Sequence, residues 1–207
     1  MAVEFNADTH QYFLDGEELP SVTHILRFMR ADMPKVDPFV LEQAGDRGTR
    51  VHEACTDYDM EGDDADIDAD ILPYVQAYAD WKRDYSVGDW ELYEHALATD
   101  TLSLSGFRFA GTLDRLGWID GRLTLVDIKT SARLDMATYT AQLSAYMYLL
   151  QLHGYDVHDA AILQLKKDGK YRYIPIEHSA LDYAYTNGFL QCYILNIYLE
   201  RAKKNGK

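Results

Sequence analysis

Asp120-Gly121 stands between two strand-like stretches, "GTLDRLGWI" and "RLTLVDIK", and this dipeptide constrains the fold more than any other feature of the chain. Asp-Gly flanked by strands signals a two-residue hairpin, because both turn residues must adopt positive φ. A two-residue loop pairs Ile119 with Arg122 and fixes every later pair. Asp114 and Asp127 then face each other, with Cβ atoms roughly 4.5–5.5 Å apart. Side chains alternate along a strand, so Leu116, Trp118, Leu123 and Leu125 share the face of the two aspartates. Lys129 falls on that face as well, opposite Thr112.

Like charges directly opposite on a strand pair are destabilising, and apolar neighbours add a desolvation cost. Two arrangements relieve this: one aspartate keeps a proton, or a cation sits between the two. Paired oxygen donors suit a hard divalent ion such as Mg2+ or Mn2+. Lys129 would compensate charge and hold a water or a phosphate oxygen. A surface hairpin with an Asp114–Lys129 ion pair explains the opposite charges, but neither the second carboxylate nor the apolar neighbours.

The rest of the chain reads as helices, a meander of strands, a helix, a hairpin and a helix. "VEFNADTHQYFLDG" reads as a small hairpin, and "PSVTHILRFM" opens a helix with Ser21 as N-cap. Residues 38 to 58 form a second helix, and "ILPYVQAYADWKRDY" a third with Tyr74, Ala77, Tyr78 and Trp81 on one stripe. "DWELYEHALAT" and "GFRFAGTLDRLGWI" precede "RLTLVDIKT" as strands. "MATYTAQLSAYMYLLQLHG" is a helix closed by Gly154. A hairpin around Asp168-Gly169 and a long helix from residue 179 to about 203 follow. The 207 residues fit a single mixed α/β domain with an N-terminal helical layer. Its parts are a hairpin and helical part over 1–88, a catalytic sheet and helix over 89–178, and a C-terminal helix over 179–207.

The net charge of −14 argues on average against a polyanionic partner. Eight acidic residues and no basic one fall between Asp57 and Asp70, so a basic groove elsewhere stays open. "DYDMEGDDADID" approaches a calcium loop but departs from it at positions 5 and 12. It reads instead as a solvated, mobile connection between helices, dispensable for chemistry. Cys55 and Cys192 cannot form a four-cysteine site on their own. They read as reduced core cysteines of a cytoplasmic protein. No secretory signal and no membrane-spanning run is legible.

"AGTLD" (110–114), then "DIKT" (127–130), then a helix with "QLSAY" (142–146), resembles the PD-(D/E)XK nuclease superfamily. Within it the chain looks most like the RecB-like exonuclease branch, and "HQYFLDGEELPSVTHIL" is similar to phage-encoded members. The resemblance implies a restriction-endonuclease-like core, a mixed central sheet flanked by helices. It implies Asp114 as first acidic metal ligand, Asp127 as the acid of the (D/E)XK pair and Lys129 as its lysine. It further implies the Ile128 carbonyl, His52 of "GTRVHEA" and Glu94 as metal ligands, with Gln142 and Tyr146 as the Q-x-x-x-Y motif on the substrate side. Thr130, Arg47 and Arg50 are further substrate-binding candidates, and Lys166, Lys167 and Arg172 could track a backbone. Three departures stand out: no proline precedes Asp114, aspartate replaces the commoner glutamate at 127, and the cysteines of iron–sulfur members are absent. No iron–sulfur cluster is therefore expected.

Taken singly, these residues have duller readings: His52 as a hydrogen-bonded core histidine, Tyr146 as packing beside Leu143, Met147 and Leu150, Glu94 as solvated. The resemblance implies an Mg2+- or Mn2+-dependent deoxyribonuclease leaving 5′-phosphates. A DNA exonuclease in recombination, repair or end processing leads, acting in the cytoplasm, phage-encoded, with a recombinase or single-strand-binding protein as partner. An endonuclease or nickase on the same core, and a non-catalytic DNA-binding or assembly subunit, are the alternatives.

Overall fold

A computed structural model describes residues 3–6, 9–30, 37–62, 65–99 and 106–205. At its centre is a five-stranded mixed sheet in the order β4-β5-β6-β7-β8, built from β4 (Val87–Ala98), β5 (Ala110–Ile119), β6 (Arg122–Lys129), β7 (Asp159–Leu165) and β8 (Tyr171–Ile176). A separate three-stranded meander, β1 (Glu4–Asn6), β2 (Gln11–Leu14) and β3 (Glu17–Leu19), precedes it, one strand more than the hairpin expected. The β5–β6 turn has the predicted register, with Ile119 opposite Arg122 and Arg115 opposite Val126. Asp120 and Gly121 both take positive φ, 48° and 77°, as the tight turn requires.

β6 and β7 run parallel, which demands a crossover. Helix α4 (Met136–Leu152) supplies it, capped by Asp135, which accepts from Thr138 N–H at 3.3 Å. Its sequence is apolar on nearly every side, and ten of its residues are buried, as expected for a central helix.

The two larger buried clusters lie on the sheet. One packs Leu116, Leu123, Leu125 and Ile162 against α4 and the last helices. The other packs Val126, Ile128 and Leu163 against α2 (Pro38–Glu61) and α3 (Leu72–Asp84). The predicted α3 stripe of Tyr74, Ala77, Tyr78 and Trp81 is fully buried there. Trp118 keeps its predicted place opposite Leu123, but at the sheet end it is 43% exposed, donating from Nε1 to Glu91.

Three sequence expectations change. Ser21 caps a helix as read, accepting from His24 N–H at 3.0 Å. That helix, α1 (Val22–Ile25), passes at once into a 3-10 turn over Leu26–Arg30. The C-terminal helix is two, α5 (His178–Ala184) and α6 (Leu190–Asn205), joined by a π turn over Tyr185–Phe189. There Gly188 packs against α4, where a Cβ would make an ordinary contact with the Ala141 methyl at 3.4 Å.

The acidic run is the third. Helix α2 continues through Glu61, so Asp57, Asp59 and Glu61 are helical and the calcium-loop conformation is excluded among them. Asp59 points inward, taking a hydrogen bond from Tyr78 Oη at 2.8 Å and ion pairs from Lys82 and Arg115. Part of the segment expected to be dispensable is therefore structural, because α2 packs against α3 through it.

Candidate active site

The two aspartates come together at the open end of the β5–β6 ladder. Backbone pairing stops at Arg115–Val126. Beyond it the Asp114 carboxylate takes over, accepting from Ile128 N–H at 2.6 Å. A side chain thus replaces a backbone acceptor and holds the diverging strands in register. Asp127 lies on the same face, 1% exposed. Lys129 Nζ sits 2.6 Å from its Oδ2 and 5.0 Å from the centre of the Tyr139 ring.

Burial pushes the Asp127 carboxyl up to about 6; Lys129 pulls against this and Asp114 adds to it. Burial opposes the charged form of Lys129 too, but Asp127 and Asp114 raise it above the ordinary lysine value. Asp127 Oδ1 is buried without a hydrogen-bond partner, and such an atom is costly unless something binds it.

His52, from α2, brings its ring across the sheet end. Nε2 lies 3.2 Å from the Ile128 carbonyl, and Nδ1 lies 3.3 Å from Glu94 Oε1 and 3.7 Å from Asp114 Oδ1. Burial works against the imidazolium, yet Asp114 and Glu94 outweigh it and raise its pKa. His52, Glu94 and Asp114 present ligand atoms that all lie within 4.8 Å of one another. Carboxylate oxygens and an imidazole suit a divalent ion. Asp127 is not part of that group, but its buried Oδ1 has no hydrogen-bond partner, and the donor set of His52, Glu94 and Asp114 fits a divalent ion.

Glu94 reaches this cluster through local backbone strain. It falls between the β4–β5 pairs Tyr93–Arg115 and His95–Leu113, with φ at 42°, uncommon for a residue with a side chain. The twist lets one carboxylate oxygen serve His52 on one side and Arg115 Nη1, at 2.9 Å, on the other.

Arg115 is the residue that sequence reading missed. It is 0% exposed and donates from Nη1 to the Asp114 carbonyl at 2.9 Å, from Nη2 to Thr56 at 2.8 Å and from Nε to Asp59 at 3.2 Å. An arginine set between Asp114 and the apolar "LGWI" is itself a signal, since a buried guanidinium needs carboxylate partners. Its partners were invisible because they come from α2 and β4.

Gln142 and Tyr146 face the cavity as an i, i+4 pair, joined by a 3.2 Å bond from Gln142 Nε2 to Tyr146 Oη. The Tyr146 ring lies over Gly111, where an added Cβ would meet Cε1 at 2.6 Å. That contact explains why the "AGTLD" stretch has glycine there. Thr130 stands against Gly48 of α2, 3.8 Å from where its Cβ would be. The two arginines sit in different surroundings. Arg50 is held by Asp68 and Asp70, both at 2.7 Å, so a phosphate there would compete with two exposed carboxylates. Arg47 is half-buried with Nε unpaired. Lys166, Lys167 and Arg172 are exposed on β8 and the turn before it.

A cleft at the end of a mixed sheet, with a buried acid pair, a lysine two residues on and a helix-borne histidine, defines a class of nucleases. The chain belongs to the PD-(D/E)XK nuclease superfamily, whose family model matches residues 22–191. A candidate exonuclease from Eubacterium rectale has a similar structure, with a TM-score of 0.52 at 15% identity over 91% of this chain and 76% of that one. LHK-Exo, solved in complex with dAMP, aligns with a TM-score of 0.41 at 14% identity over 91% of this chain and 95% of its own. Identities this low speak to fold alone. No curated protein sequence matches the chain. Among the described residues no helix is long and apolar enough to cross a membrane.

Proposed function

We propose that the protein is a divalent-metal-dependent deoxyribonuclease of the RecB-like branch that degrades linear DNA from an end and leaves 5′-phosphates. The observation that carries this is Asp127, fully buried with one oxygen on Lys129 and Oδ1 without a hydrogen-bond partner, next to the His52, Glu94 and Asp114 group on the same sheet end. Asp114, Asp127, His52 and Glu94 would hold Mg2+ or Mn2+, with the Ile128 carbonyl as a further ligand. A divalent ion there lowers the pKa of a bound water and offsets charge on the phosphate.

The chain's own groups do the rest. Lys129 orients the attacking water and neutralises charge on a non-bridging phosphate oxygen. Water attacks phosphorus in line, the bond to the 3′-oxygen breaks, and the 3′-oxygen takes up a proton as the water gives one to solvent. Gln142 and Tyr146 line the approach.

The selectivity for ends rests on shape. The cavity over the site, about 620 Å³, is bounded by α2 on one side and by the N-terminal meander and α4 on others, so a terminus threads in more easily than an unbroken duplex. Magnesium-dependent digestion of end-labelled linear DNA beside covalently closed circles is the test. Progressive shortening of the linear DNA with circles intact is expected. Rapid linearisation of the circles means an endonuclease and removes the threading argument.

A further inference from the structure

The cavity above the acid cluster has a second wall with a different chemistry. Phe5, His10 and Tyr12, all from the N-terminal meander, line the same space as His52, Asp114 and Tyr146. Phe5 stacks on Tyr12, with ring centres 4.7 Å apart and planes at 28°. His10 meets Phe5 edge-on at 5.5 Å. Tyr12 is buried, whereas Phe5 is 37% exposed. His10 has φ at 53°, a left-handed backbone uncommon outside glycine.

The rings are tied to the catalytic strand. Tyr12 Oη bonds Thr112 Oγ1 at 2.8 Å, and Thr112 is two residues before Asp114 on β5. Ala110 N–H, on the same strand, donates to the Pro20 carbonyl at 3.1 Å just after β3. The platform is thus held at a fixed offset from the acids.

The charges of the cavity decide what the rings are for. Among the described residues that line it there is no lysine or arginine, while Glu53 and Asp57 add negative charge to Asp114 and Glu94. With no lysine or arginine on it, this wall offers little charge-assisted phosphate binding. Aromatic rings can supply affinity instead, by stacking on a base, which is tolerant of sequence because every base has a π-face. A base that is still paired and stacked in a duplex has no free face to offer.

We infer that the N-terminal meander is a base-stacking platform, on which Phe5, backed by Tyr12 and edged by His10, receives an unpaired nucleobase next to the scissile phosphate. This inference rests on the nuclease reading, and it deepens that reading: the strand in the site is single-stranded or frayed.

The test uses single-stranded oligonucleotides, intact or with one abasic site stepped along the chain, cleaved in magnesium by wild type, Phe5→Ala and Phe5→Trp. Loss of one stacked base is expected to raise KM on the order of 10-fold. In wild type that rise should occur when the abasic site reaches the platform. In Phe5→Ala the KM of the intact strand should rise by about the same factor, with a much smaller change in kcat, and the abasic penalty should vanish. Phe5→Trp should restore both. An unchanged KM in Phe5→Ala, or an undiminished abasic penalty, overturns the platform. If wild type cleaves nothing, the nuclease reading falls by itself. Anisotropy of the same oligonucleotides in EDTA then decides the platform, supported by weaker binding to Phe5→Ala and overturned by equal binding.

Discussion

Replacing Arg115 by methionine should destabilise the protein by about 3 kcal/mol. The guanidinium is 0% exposed and donates to Asp59, Glu94, Thr56 and the Asp114 carbonyl. Removing one partner from a buried charge network costs about 3–5 kcal/mol, chiefly because the remaining charges are left uncompensated. Two features of the site place this case at the lower end. Asp59 keeps Tyr78 and Lys82 as donors. Glu94 is 37% exposed, so water replaces part of what it loses. Methionine fills most of the volume, so a cavity adds little. In a chain of this size each kcal/mol moves the melting temperature by about 2–4 °C, so a drop of about 6–12 °C is expected. Urea titration of wild type, Arg115→Met, Asp59→Asn and the double variant measures it. The double variant should lose less than the two singles together, since both break one network. A loss below about 0.5 kcal/mol, or strict additivity with Asp59→Asn, refutes the reasoning.

The other predictions bear on the site itself. Asp114→Asn and Asp127→Asn should each weaken manganese binding in calorimetry; unchanged binding in both removes the metal assignment. Lys129→Ala should bind manganese yet cleave on the order of 10²–10³ more slowly, and a wild-type rate reduces the lysine to an ion-pair partner. Gly111→Ala places a methyl 2.6 Å from Tyr146 Cε1 and 3.2 Å from Val22 Cγ2. Overpacking of this kind costs about 1–3 kcal/mol and should displace the Gln142–Tyr146 pair, lowering both melting temperature and cleavage. Wild-type melting would mean that the ring moves aside freely.

The sequence by itself determined the parts that depend on neighbours along the chain. Asp120-Gly121 set one turn, the turn set the register, and the register brought Asp114 and Asp127 to the same end of one sheet face. The alternation of β5 and β6 and the stripe of α3 were legible for the same reason, since period and turn chemistry are local. Tertiary structure alone decided the pairings between charges from different elements. Asp59 looked like one more solvated acid until α2 laid it against Arg115 and Lys82. Arg50 looked free until Asp68 and Asp70 closed on it. Glu94 became a bridge between His52 and Arg115 because β4 twists to a positive φ there. A charge can be buried only where its partners arrive from other elements, and no window along the chain contains that information.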